Sequence, residues 1–95
     1  MKAIIAIVSV SISIPDSHSL KDKRQVIKSL KDRVRNTMNV SAAEVGKQDV
    51  WQFSDLAFAT VAADEATVDA RLTELDRFLR SDPRYVVLNV RTERL

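Results

Sequence analysis

The sequence predicts an α+β fold, a four-stranded antiparallel sheet with two helices on one face, and three observations predict it. Segments of period-two hydrophobicity open and close the chain, two segments of helical periodicity follow recognisable caps, and two short strand-like runs stand between them. With 95 residues the chain forms one domain, 1–95, large enough to bury a single core. Its 45% apolar and 29% charged residues exclude intrinsic disorder. With no cysteine and a single histidine, neither a disulfide framework nor a zinc site can be assembled, so no metal and no cofactor are expected.

The first strand is expected over 2–14. The even positions Ile4, Ala6, Val8, Val10, Ile12 and Ile14 are all apolar, so one face is buried along its whole length. The odd face passes from Ala3, Ile5 and Ile7 to Ser9, Ser11 and Ser13. This alternation also argues against an export signal, and no stretch reaches the roughly 20 apolar residues of a membrane span. A cytoplasmic protein without membrane contact is expected. Pro15 ends the strand, and Asp16, Ser17, His18 and Ser19 form the turn.

Ser19 is the expected N-cap of the first helix, with Asp22 three residues on. Leu20, Val26, Ile27, Leu30, Val34 and Met38 share one side at 100° per residue, giving about five turns ending near Asn39. A short strand over 40–45 and a loop with Gly46 follow, then a third strand over 51–62. Asp64 caps a second helix whose Val68, Leu72, Leu75, Phe78 and Leu79 recur at three to four residues, stopping near Ser81 before Pro83. In the last strand, 85–93, Val86, Leu88, Val90 and Thr92 share one phase. The order strand, helix, strand, strand, helix, strand is the ferredoxin-like split βαβ sandwich.

The face of the sheet without helices is expected to carry Ile5, Ile7, Trp51, Phe53, Ala57, Ala59 and Val87, a candidate interface for a homodimer or an aromatic platform for bases. The first helix carries the clearest charge pattern. Lys21, Arg24, Lys28, Lys31 and Arg35 form a stripe flanking the buried side. Residues 19–36 hold seven basic and two acidic side chains, a local +5, so against the chain's +2 the remainder carries −3. Such a stripe suits RNA phosphates. It also suits a solvated helix face. Lys23 departs from the stripe and points toward the sheet, so its ammonium must either snorkel to solvent or meet an acceptor, with Asp16 the nearest in sequence.

Asp16, Ser17, His18 and Ser19 hold the residue types of a hydrolytic triad, but consecutive side chains in an extended loop point apart. The loop also lacks the glycines of a backbone anion cradle, which argues against an acylphosphatase-like enzyme. No catalytic residue is expected.

The segments IPDSHSLKDKR at 14–24, NVSAAEV at 39–45 and QDVWQ at 48–52 resemble the YlxP-like family of small bacterial proteins of unknown function. The resemblance spans the chain and implies a ferredoxin-like fold. It rests on Pro15, Asp16, Ser17, His18, Ser19, Leu20, Lys21, Lys23, Arg24, Glu44, Asp49, Trp51 and Gln52, with Asp22 standing where glutamate is expected. The family's genes often lie beside those for a translation initiation factor and a ribosome-binding factor, which implies a role near ribosomal RNA or the ribosome. In the motif, His18, Lys21, Lys23 and Arg24 surround the helix start as candidate anion-binding residues. A rigid hinge is the alternative reading.

Overall fold

The computed structural model describes residues 1–95 and shows the expected order: β1 Ile4–Ser13, α1 Leu20–Thr37, β2 Ser41–Gly46, β3 Phe53–Ala62, α2 Glu65–Arg80 and β4 Val86–Arg94. The strands form one antiparallel sheet in the order β2-β3-β1-β4. β1 lies inside, paired with β3 from Ile4↔Ala62 to Ser13↔Phe53. Its even residues Ala6, Val8, Val10 and Ile12 are buried under both helices, where they meet Ile27, Leu30 and Val34 of α1 and Leu75 and Leu79 of α2. Each such fully buried aliphatic side chain contributes on the order of 1.5–3 kcal/mol.

Ser19 caps α1. Its hydroxyl accepts from the Asp22 N–H at 3.0 Å while the Asp22 carboxylate accepts from the His18 N–H at 3.0 Å. This is a capping box closed one residue further back than a glutamate would close it. Asp64 caps α2 by accepting from both the backbone N–H and the hydroxyl of Thr67.

Element ends differ from the sequence expectation where side chains intervene. α1 stops at Thr37 because Met38 turns to extended geometry and buries its side chain in the core. β3 starts at Phe53, which leaves Trp51 in the loop before it. The Gln52 carbonyl accepts from the Ile14 N–H at 2.7 Å, and the Gln52 side-chain amide donates to the carbonyls of Pro15 and Ser17. That residue therefore clamps the β1–α1 loop. The largest correction is in β4. Its register against β1 shifts between Ser11↔Asn89 and Ile12↔Val87, so Leu88 is an unpaired bulge residue. Val87 consequently packs against the core and leaves the outer face, while Val86 and Leu88 stay exposed.

Candidate nucleic-acid interface

The antiparallel topology brings the β1–α1 turn, the first turn of α1, the end of β2 and the β2–β3 loop to one end of the molecule. Lys23 ties them together. Its ammonium is 2.9 Å from a Glu44 carboxylate oxygen and also donates to the Lys47 carbonyl, and the residue is only 1% exposed. Ser54, itself buried, donates its hydroxyl to the same Glu44 oxygen at 2.6 Å. Asp16 is not the partner, and the lysine does not reach solvent. With its charge consumed inside, Lys23 drops out of the anion-binding group proposed with His18, Lys21 and Arg24. Glu44 was marked only by resemblance, yet the sequence holds a signal for it: it shares the buried phase of β2 with Ala42.

Beside this pair the chains approach closely. A Cβ on Gly46 would stand 2.7 Å from an Asp55 carboxylate oxygen. Asp55 accepts from the Ser11 hydroxyl at 2.9 Å and from the Lys47 ammonium at 3.1 Å. These hydrogen bonds, led by that of Ser11, hold its carboxyl below the usual carboxylate range. Lys47 closes the turn with a left-handed φ of 57°.

The basic stripe runs along the flank of α1 that faces the edge strand β2. Lys21, Arg24, Lys28 and Arg35 are exposed and Lys31 is half-buried. Lys28 pairs with Asp32 at 2.7 Å, a solvent-facing i,i+4 bridge. That contact, through the Lys28 hydrogen bond, lowers the Asp32 carboxyl. Arg35 donates to the Ala42 carbonyl of β2 at 2.6 Å and so braces the helix against the sheet edge. Lys21, Arg24 and Lys31 have no carboxylate partner and no side-chain hydrogen bond. Between helix and strand lies a groove of about 440 Å³ walled by Arg24, Ile27, Lys28, Lys31 and Arg35, together with Asp32 and Glu44, the acids already paired with Lys28 and Lys23. The other flank of α1 is used internally: Arg33 pairs with Asp82 at 3.2 Å and sits 5.0 Å above the Phe78 ring.

At the start of the stripe, His18 and the β2–β3 loop border a second groove of about 480 Å³, lined by His18, Asp49, Val50, Trp51, Gln52 and Phe53. Trp51 is 53% exposed there. Of the expected interface set, Ile5, Ile7 and Phe53 lie on the open face, Ile5 and Phe53 exposed and Ile7 half-buried, and Trp51 lies beyond its edge. No helix is long and apolar enough to cross a membrane.

Residues 5–92 match the model of a family described as protein of unknown function (DUF503). The chain is 37% identical over 78 residues to the uncharacterized protein YlxP of Bacillus subtilis (strain 168), a match covering 82% of this chain and 85% of that one. Among solved structures it is similar to the de novo designed protein Foldit4, with a TM-score of 0.54 and 15% identity over 97% of each chain. It is also similar to the de novo designed protein LFR1 1 with ferredoxin fold, at a TM-score of 0.51 and 18% identity over 98% of this chain and 88% of that one. These two likenesses establish the ferredoxin-like fold.

Proposed function

The chain belongs to the DUF503 family of proteins of unknown function, and from its own surface we propose that it is a non-enzymatic RNA-binding module that docks on ribosomal RNA through α1. One observation carries this reading: along a single flank of α1 the cations of Lys21, Arg24 and Lys31 find no acid in the same molecule, and Arg24 and Lys31 line an open groove beside β2. Most acidic partners of the chain's other cations are close at hand, as in the pairs of Arg33 and Arg84 with Asp82. Unpaired cations spaced along a helix meet phosphates without displacing an internal carboxylate, and each neutralised phosphate adds to the salt dependence of binding. The helix carries no aromatic residue, so backbone contact rather than base reading is its role.

Electrophoretic mobility of ribosomal RNA fragments across a salt series tests this with the triple variant Lys21→Glu, Arg24→Glu and Lys31→Glu, which leaves the bracing Arg35 and the Lys28–Asp32 pair in place. The logarithmic salt slope should fall by about 2, since each single-strand phosphate contact contributes roughly 0.7. An affinity indifferent both to salt and to the triple reversal would remove the proposal. A second reading, a homodimer through the open sheet face, draws on the exposed Ile5, Phe53, Val61 and Val86, whose registers place them on that one face.

A further inference from the structure

We infer that the groove between the start of α1 and the β2–β3 loop receives one unpaired base of a single-stranded RNA, stacked on Trp51, an inference that rests on the RNA-binding reading of α1. The indole is half exposed at the edge of this groove. The loop that carries it is pinned on both sides: the Val50 N–H donates to the Lys47 carbonyl at 3.1 Å, and Gln52 is bonded to Ile14, Pro15 and Ser17. The backbone on either side of the indole is therefore held in place. A fixed, exposed aromatic face is what an extruded base stacks on, and it serves any base because each has a π-face.

Charge decides which part of the nucleic acid enters. The stripe from Arg35 to Lys21 spans 14 residue steps of helix, about 21 Å, and it ends one turn from His18, which borders the groove. A strand whose phosphates follow the stripe is delivered to the groove mouth. At the groove rim the exposed Asp49 side chain disfavours phosphate and offers oxygens that accept from N–H donors of a base edge. Backbone along the stripe and base in the groove satisfies both the stripe and the carboxylate. A duplex keeps its bases stacked on one another and cannot enter.

Trp51 is the chain's only tryptophan, so intrinsic indole fluorescence reports this groove alone. A mixed-sequence RNA octamer with a terminal dye is titrated at low salt, with dye anisotropy read beside indole fluorescence. The expected result is fluorescence quenching that saturates with the anisotropy, binding about 10-fold weaker for Trp51→Ala in line with the stacking of one base, and near wild-type binding for Trp51→Phe. The same sequence as a duplex should leave the indole unchanged. Octamer binding by anisotropy with unaltered fluorescence, or with equal affinity for Trp51→Ala, overturns this inference and leaves the α1 proposal standing. No anisotropy change at all overturns both.

Discussion

The Lys23 ammonium and the Glu44 carboxylate meet at 2.9 Å across α1 and β2, and the two partners are unequally buried, the lysine side chain 1% and the glutamate 17% exposed. Breaking a buried pair from one side leaves the other charge uncompensated, so the damage depends on which charge is orphaned. Glu44→Ala strands Lys23 with only the Lys47 carbonyl and should destabilise by about 3–5 kcal/mol. Lys23→Met leaves Glu44 the Ser54 hydroxyl and some water, and should cost about 1–3 kcal/mol. In urea denaturation the double variant Lys23→Met/Glu44→Leu should lose less than the two single losses combined. Equal single effects would contradict the asymmetry.

Gly46 is required by proximity rather than by backbone angle, since no glycine has a positive φ. Gly46→Ala places a methyl group 2.7 Å from the Asp55 oxygen and 3.1 Å from its Cβ. Asp55 must then give up its bonds to Ser11 and Lys47 or the β2–β3 ladder must move. A loss of about 1–3 kcal/mol is expected, read as a lower urea midpoint at unchanged slope.

These two sites show how much a sequence reading reaches. The even face of β1 was legible because its two faces differ in polarity, and Ser19 and Asp64 announced the helix starts. The helical angle of Lys23 told that it points inward. Its partner lies 21 residues away and becomes a neighbour only when β2 returns beside α1. Val90 and Thr92 keep the expected phase opposite Val10 and Val8, but before the bulge the phase is inverted, because Leu88 carries no glycine or proline to mark it. Trp51 left the strand because the Gln52 side chain found loop carbonyls across the chain.

Asp82 is buried and binds Arg84 through both carboxylate oxygens, and Arg33 through one. The Arg84 hydrogen bonds, first among the causes, hold its carboxyl below the usual range. A carboxyl with a depressed folded value stabilises above its unfolded value, near 3.9, and loses that contribution as pH falls through the folded one. Asp82→Asn should therefore be less stable than wild type at pH 7, with the gap narrowing below about pH 4. A gap independent of pH would show that packing, not charge, is what the substitution removed.

Tyr85 is the only tyrosine, and its buried hydroxyl has no hydrogen-bond partner. Burial, foremost, pushes its phenol up to about 12. A folded value above the unfolded one near 10 stabilises fully below pH 10 and is lost as pH rises toward 12. Absorbance titration should show phenolate only near pH 12 or together with unfolding. Tyr85→Phe should be neutral to slightly stabilising at pH 7, because it removes an unsatisfied polar group, and should make the alkaline loss of stability between pH 10 and 12 shallower.

The open sheet face yields the last prediction. Its centre holds small residues, Ser9 opposite Ala57 and Ala57 opposite Ala43, with exposed Ile5 and Val61 paired at one end and Phe53 and Val86 flanking Ser13 at the other. Ile7 is half-buried with Glu93 across from it, so Ile7→Asp would add like-charge repulsion inside the monomer and confuse folding with association. Val61→Asp and Ile5→Asp are cleaner probes, since both side chains are exposed. If this face joins two copies, light scattering should give twice the 10.7 kDa chain mass for wild type and the single mass for either variant, at unchanged urea midpoints. A wild-type mass of one chain removes the dimer, and a double mass that survives both substitutions moves its contact away from this face.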